Sequence, residues 1–227
     1  METGNSAKEA AANAAAELIN DGMLVGLGTG STAAFFIDRL IQRCKEGLKI
    51  QVVATSARSQ DQAVKGGIPL ADINQLTSLD ITVDGADEID SNRSMIKGGG
   101  GALLREKIVA SMSHEVVIVV DQSKVVKKLG AFPLPIEIVP FAWKGIVAKI
   151  EIAGYHGKLR VGKNNEPYVT DNGNYIYDIN FPNLIADPEL TDEVLRGIPG
   201  VVETGLFLNI ADKVIVEYPD GRVEIRS

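Results

Sequence analysis

The sequence contains little of what metal centres, disulfide-stabilised folds and membrane proteins require. Cys44 is the single cysteine among 227 residues, which excludes an intramolecular disulfide and favours a reducing compartment. The two histidines, His114 and His156, lie far apart, so a zinc site is not expected. No apolar run has the length of a membrane span, and the first residues lack the pattern of a signal peptide. We therefore expect a cytoplasmic protein without a metal centre.

The charge balance also excludes one class of partner. The net charge is −7 and the pI is about 5.0, whereas a nucleic-acid-binding surface is usually basic. A small anionic ligand remains possible, because a local site can be positive on an acidic protein. With 45% apolar residues, the chain can bury a core as one large domain or as a large and a small one.

The first half of the sequence alternates apolar strands with helices. The four longest strands predicted there are 23–28, 49–55, 79–84 and 115–121. Strands that alternate with helices imply crossover connections and a parallel sheet, and continuous apolar runs favour a sheet covered on both faces. We expect a Rossmann-like α/β domain with a mostly parallel sheet and helices on both faces, formed by residues 1–130 and 203–227.

Residues 131–202 predict a smaller α+β domain. Their pattern of elements is β-α-β-β-α-β, the order of ferredoxin-like domains, and residues 171–174 (DNGN) supply hairpin-turn chemistry. We expect this domain to contribute to subunit contact. The final segment, 213–225, predicts a hairpin around 219–221 that returns to the large sheet.

A glycine-rich turn stands between the first predicted strand and its helix. Residues 28–33 (GTGSTA) match the G-x-G-x-x-A fingerprint of dinucleotide-binding folds. Glycine amides and a helix start bind anions; a tight turn with Ser31 as the N-cap is the structural alternative. The acid that usually holds the ribose after the second strand is missing from 54–59 (ATSARS). We favour a single phosphate here; a reductase using NADP, with Arg58 at the 2′-phosphate, is the alternative.

A second polar segment, 83–101, combines acids, a lysine and four consecutive glycines. Asp84 ends a predicted strand, Asp87 follows, and Lys97 precedes the glycines. A solvated turn is one interpretation; calcium is another, although the spacing does not match an EF-hand loop. Glycines also leave space for a ligand and let main-chain amides approach its oxygens.

Glu106 lies in the helix predicted after these glycines. The apolar stripe of that helix is predicted to be Leu104, Ile108 and Met112, and Glu106 falls outside it. Periodicity alone therefore predicts an exposed glutamate.

Several segments together resemble the type A ribose-5-phosphate isomerase family. They are GLGTGSTAAFFI, VDGADEID, MIKGGGGALLREKI, DQSKVVKKLG, FPLPIEIVP, TDNGN and IPGVVETGLF. They stand in the family's order and cover nearly the whole chain. The resemblance implies interconversion of D-ribose 5-phosphate and D-ribulose 5-phosphate without metal or organic cofactor. It also implies a homodimer or a dimer of dimers.

The resemblance also implies roles for individual positions. Glu106 matches the catalytic base, which would work through an ene-diolate, with Asp84, Asp87 and Lys97 as further catalytic residues. The positions that match substrate-binding residues are Thr29, Gly30, Ser31, Thr32, Asp84, Gly85, Ala86, Asp87, Lys97, Gly98, Gly99, Gly100, Lys124 and Lys8.

Two other functions remain open at the level of the sequence. The NADP-dependent reductase predicts nicotinamide binding, which an isomerase does not need. A regulator that senses sugar phosphates predicts binding without turnover, and it has no use for Glu106 as a base.

Overall fold

The computed structural model describes residues 2–163 and 165–226, without the side chains of residues 2–8. Its helices are α1 (Glu2–Ala16), α2 (Ser31–Lys45), α3 (Ala57–Lys65), α4 (Leu103–Ser111), α5 (Trp143–Ile152) and α6 (Pro188–Arg196). Its strands are β1 (Leu24–Leu27), β2 (Gln51–Ala54), β3 (Leu79–Asp84), β4 (Glu88–Ile89), β5 (Met95–Ile96), β6 (Ser113–Asp121), β7 (Leu134–Ile138), β8 (Gly157–Leu159), β9 (Tyr175–Ile179), β10 (Val201–Thr204), β11 (Leu206–Phe207), β12 (Lys213–Glu217) and β13 (Val223–Arg226). No helix among the described residues is both long and apolar enough to cross a membrane.

The chain forms two compact units. The larger unit consists of Met1–Ala86, Arg105–Val125 and Ile210–Ser227, and the smaller unit of Asp87–Leu104 and Val126–Asn209. This division differs from the one predicted at 130/131 and 202/203. The difference arises because β4, β5 and β11 pair as a separate three-stranded sheet, which keeps the segments around them in the smaller unit.

The sheet of the larger unit has the order β13-β12-β6-β3-β1-β2. Its pairs are parallel except the one between β12 and β13, which form the predicted hairpin. The Rossmann-like, mostly parallel sheet is therefore confirmed. The chain moves outward from β1 to β2 and then crosses to β3 on the other side of β1. This reversal makes the carboxyl ends of β1 and β3 a topological switch point, where ligands bind in open α/β sheets.

Helices cover both faces of this sheet, as predicted. Neighbouring residues of a strand point to opposite faces, and in β2 the two valines divide accordingly. Val52 packs in the core that contains Phe36 of α2 and Ala12 of α1. Val53 packs in a second core with Val109 of α4. The strands are thus buried on both sides, and only their ends are available for polar chemistry.

The smaller unit has an antiparallel sheet with the order β10-β7-β9-β8. With α5 and α6 this gives the predicted β-α-β-β-α-β sequence of a ferredoxin-like domain. Its core contains Ile136, Ile150, Tyr177 and Leu195. The turn predicted at 171–174 lies directly before β9, and the Thr170 amide donates across it to the Asn174 carbonyl at 2.8 Å.

Candidate active site

The first turn after β1 lies at the switch point of the larger unit. Gly30, with a φ of 112°, is the N-cap of α2 and provides no side-chain cap. The structural alternative of a Ser31 cap is therefore wrong: Ser31 is the first residue of the helix and is exposed. Thr32 follows it and is half-buried. The first amides of α2 therefore have no N-cap side chain to which they can donate.

Asp84, at the carboxyl end of β3, is joined to this turn. Its Oδ1 accepts hydrogen bonds from the Thr29 amide at 3.0 Å and the Gly85 amide at 2.7 Å, and the residue is only 3% exposed. A Cβ at Gly28 would lie 2.0 Å from Asp84 Oδ1 and 2.6 Å from its Cα. Residue 28 must therefore be glycine for the carboxylate to approach the turn this closely.

The loop after β2 supports the turn from the other side. The Thr55 hydroxyl lies 2.8 Å from that of Thr29 and donates to the Leu27 carbonyl at 3.0 Å. The Ser59 hydroxyl donates to the Gly28 carbonyl at 2.7 Å, and Ser56 is the N-cap of α3. Because Thr55 is fully buried and all three residues hydrogen-bond within the protein, we assign them to shaping the turn.

Glu106 is buried, with an exposure of 4%, so the prediction of an exposed glutamate is wrong. The buried residues of α4 are Leu103, Glu106, Val109 and Ala110, spaced i, i+3, i+6 and i+7, whereas Ile108 is 45% exposed. Counting apolar residues placed the stripe on the wrong side because a glutamate occupies one of its positions. Burying a carboxylate is costly, which makes Glu106 a candidate for a functional role.

Two lysines complete the predicted residues of the larger unit. Lys124 ends a 3-10 turn, Gln122–Lys124, which follows β6 directly. Because β6 is the parallel neighbour of β3, this turn starts at the same carboxyl edge of the sheet as Asp84. Lys8 belongs to α1, but its side chain lies outside the described residues.

The smaller unit contains Asp87, Lys97 and the glycines. Asp87 Oδ2 accepts a hydrogen bond from the Gly99 amide at 2.8 Å. The glycine segment is a tight turn, with the Gly101 amide donating to the Gly98 carbonyl at 2.9 Å and Gly98 at a φ of 103°. Lys97 is 4% exposed, and its Nζ lies 5.3 Å from the ring centroid of Phe207, a distance typical of a cation–π contact.

The carbonyl groups of the glycine segment face two residues that the sequence did not single out. Arg160 Nη1 donates to the carbonyls of Gly98 at 3.0 Å and Gly99 at 3.2 Å. The Tyr168 hydroxyl is 3.4 Å from the Gly100 carbonyl. These contacts join residues about sixty positions apart, and no local motif indicates them. Among the described residues, we find no acceptor for the amides of Gly98 and Gly100.

The described residues contain no group of three or more His, Cys, Asp or Glu side chains arranged to hold a metal ion. Asp84, Gly85, Ala86, Glu106, Lys124 and the first turn belong to the larger unit, and Asp87, Lys97 and the glycines to the smaller one. Each unit therefore holds an acidic residue fixed by main-chain amides beside a glycine-containing turn.

Comparison with known proteins decides the family. The model of ribose 5-phosphate isomerase A (phosphoriboisomerase A) matches residues 51–221. The chain belongs to the ribose-5-phosphate isomerase A family. Among relatives of that name, the one from Protochlamydia amoebophila is 52% identical over 96% of this chain and 94% of its own length. The one from Bacillus mycoides is 50% identical over 94% and 96%.

Solved structures of the family have the same fold. Ribose 5-phosphate isomerase from Plasmodium falciparum has a TM-score of 0.94 at 38% identity, covering 98% of both chains. A D-ribose-5-phosphate isomerase in complex with phospho-erythronic acid has a TM-score of 0.92 at 42% identity, covering 97% of both chains. The resemblance seen in the sequence motifs therefore extends over nearly the whole family fold.

Proposed function

We propose that this protein interconverts D-ribose 5-phosphate and D-ribulose 5-phosphate, the sugar isomerisation of the non-oxidative pentose phosphate pathway. The observation that carries the proposal is the buried carboxylate of Glu106, at the position that matches the family's base. A sugar-sensing regulator does not need such a group, and desolvating a carboxylate without a function is costly. A reductase would also require a nicotinamide site, and the sequence indicates one only through the turn at 28–33 and Arg58.

The reaction moves a carbonyl group between C2 and C1 of the open-chain sugar. Glu106 removes the C2 proton of the aldose, and the electrons flow into the C1 carbonyl to give an ene-diolate. The same carboxyl group returns the proton to C1, while a proton moves from O2 to O1, which yields the ketose. General-base catalysis of this kind contributes about 10²–10⁴-fold to the rate.

The developing negative charge on the ene-diolate oxygen requires fixed donors. We assign this role to the Lys97 ammonium group and to the amides of the glycine segment. Because the Gly99 amide already donates to Asp87, the amides of Gly98 and Gly100 are the main-chain candidates. Asp84 and Asp87 are assigned to the transfer of hydroxyl protons and to opening of the furanose ring.

The phosphate is assigned to the first turn of the larger unit. The amides of residues 30–32 at the start of α2 offer donors to an anion, and Lys124 and Lys8 add positive charge. Binding energy from the phosphate then positions the reacting carbons. The phospho-erythronic acid bound by a solved relative is a phosphorylated sugar acid, whose planar, charged carboxylate resembles an ene-diolate. We expect it to compete with ribose 5-phosphate here.

The test compares Glu106→Gln with Glu189→Gln. Both glutamates lie in the first turn of a helix, but Glu189 is exposed, so it is the matched control. Each EDTA-treated protein is incubated with ribose 5-phosphate in heavy water without cofactor, and ribulose 5-phosphate is measured by proton NMR. We expect full activity in the control and a loss of about 100-fold or more in Glu106→Gln.

The possible results separate the parts of the proposal. Equal rates in the two variants would retain the isomerase and reject Glu106 as its base. Binding of ribose 5-phosphate by the wild type without any product would reject the isomerase in favour of a regulator. Oxidation of NADPH in the presence of a carbonyl substrate would favour the reductase.

We also propose that the protein is a cytoplasmic homodimer or dimer of dimers. A single cysteine suits a reducing compartment. The smaller unit exposes large apolar side chains, including Phe141 and Ile152, each 87% exposed, which a subunit contact would cover.

A further inference from the structure

Arg160 links the glycine segment to the sheet of the smaller unit. It follows β8 directly, and its main-chain amide donates to the Ile176 carbonyl of β9 at 2.8 Å. Its guanidinium group forms a bidentate pair with Asp178, with Nε to Oδ2 at 2.8 Å and Nη2 to Oδ1 at 2.6 Å. The side chains of the pair are 17% and 23% exposed. Such a pair fixes the plane of the guanidinium group as well as its position.

The remaining nitrogen of the guanidinium group, Nη1, donates to the carbonyls of Gly98 and Gly99. In a trans peptide the carbonyl and the following amide belong to one rigid plane and point in opposite directions. Holding the Gly98 carbonyl therefore directs the Gly99 amide, and holding the Gly99 carbonyl directs the Gly100 amide. Both amides point away from Arg160.

These two amides are the ones that matter for the proposed chemistry. The Gly99 amide donates to Asp87 Oδ2 at 2.8 Å and so orients a carboxylate assigned to proton transfer. The Gly100 amide, without an acceptor among the described residues, is a candidate donor to the ene-diolate oxygen. Glycine has the largest conformational freedom of any residue, so the direction of each amide depends on the contacts of its peptide group, and Arg160 contacts both peptide groups.

We propose that Arg160, held by Asp178, is a positioning residue for the isomerase reaction. It fixes the two peptide planes that orient Asp87 and present the Gly100 amide. Tyr168 supports the same segment through the Gly100 carbonyl. Burial raises the pKa of Tyr168, with a smaller opposing effect from Arg160, so the hydroxyl remains a donor at neutral pH. The catalytic part of this inference rests on the function proposed above.

The first test is Arg160→Lys, with Arg196→Lys as the matched control. Lysine keeps the charge near Asp178 but lacks the planar fork needed to contact both the carboxylate and two carbonyls. Arg196 belongs to the same unit, also pairs with an aspartate, Asp192, and is 55% exposed. We expect kcat to fall about 10- to 100-fold in Arg160→Lys with KM nearly unchanged, and no change in Arg196→Lys.

Amide hydrogen exchange gives a measurement independent of turnover. In Arg160→Lys the Gly99 amide, which donates to Asp87, should exchange about tenfold faster than in the wild type, while the amides of β7 and β9 keep their rates. Unchanged exchange at Gly99 would overturn the inference. If the wild type did not isomerise ribose 5-phosphate at all, the proposed function would fail, but the exchange experiment would still test the contact.

A double variant separates positioning from simple charge pairing. Arg160→Met leaves Asp178 without its partner, and Asp178→Asn removes that unpaired charge. If Arg160 only neutralises Asp178, Arg160→Met combined with Asp178→Asn should recover the wild-type kcat. If Arg160 holds the glycine carbonyls, the double variant should regain thermal stability while kcat remains low. Recovery of kcat in the double variant would refute the positioning role.

Discussion

Replacing Gly28 by alanine tests the contact between the first turn and Asp84. The added Cβ would meet Asp84 Oδ1 at 2.0 Å and the Asp84 Cα at 2.6 Å. Because a main-chain atom is among the clashing atoms, rotating the carboxylate cannot relieve the contact, and the turn must move away from β3. Such a shift weakens the hydrogen bonds that Thr29 and Gly85 donate to Asp84.

The expected cost is that of overpacking, about 1–3 kcal/mol. For a chain of this size each kcal/mol lowers Tm by about 2–4 °C, so we expect a decrease of several degrees. Displacing Asp84 by about 1 Å should also lower kcat/KM for ribose 5-phosphate about 100-fold. Thermal unfolding followed by circular dichroism and the isomerisation assay measure the two effects separately.

Gly145→Ala is the control for this experiment. Gly145 lies in α5, and a Cβ there would have no atom within 4 Å. Alanine is about 1 kcal/mol more favourable than glycine in a helix, so this variant should be at least as stable as the wild type and fully active. A Gly28→Ala protein with the Tm and activity of the wild type would refute the close approach of Asp84 to the turn.

Three further predictions concern the smaller unit. Glu137→Ala removes the acceptor of three donors, from Thr170, Asn172 and Asn174. We expect the free energy of unfolding, measured by urea denaturation, to fall by about 3 kcal/mol. An unchanged urea midpoint would contradict this. Burial and a hydrogen bond to Glu151 raise the pKa of Tyr177 to about 12, above its usual value near 10. The stability that Tyr177 contributes is therefore present below about pH 10 and lost as the pH rises towards 12; alkaline unfolding that is the same in Tyr177→Phe would exclude this. Phe141→Asp should lower the molar mass measured by light scattering towards that of a monomer. An unchanged molar mass would remove Phe141 from the proposed subunit contact.

The secondary-structure elements that could be predicted are those with a pattern in their own stretch of sequence. The strands of the parallel sheet are short apolar runs, and the ferredoxin-like order follows from alternating patterns in 131–202. The three-stranded sheet was missed because β4, β5 and β11 contain two residues each, which is too few for any periodicity. Their pairing joins β5 to β11, which is distant in the chain, and only tertiary structure can reveal it.

The polar groups show the same distinction between local and distant signals. Residues 29–32 and Asp84 are found from their position after predicted strands. Glu106 was assigned to the wrong face of its helix because hydrophobic periodicity treats every carboxylate as a surface group. Arg160 has no local signature at all, since its partners are Asp178 on the neighbouring strand and two carbonyls on a remote turn.

The position of β12 in the sheet has a consequence for biosynthesis. β12 pairs with β6 in parallel, yet it follows the whole of 126–209 in the chain. On the ribosome, the segments of the smaller unit emerge before β12 does, and until then β6 is the edge of an incomplete sheet. Its residues 116–120 are all buried valines and isoleucine in the finished protein, and an exposed apolar edge of this kind is prone to aggregate. The hairpin of β12 and β13 therefore covers this edge only at the end of synthesis. We expect the nascent chain to need chaperones most before residues 210–226 have emerged.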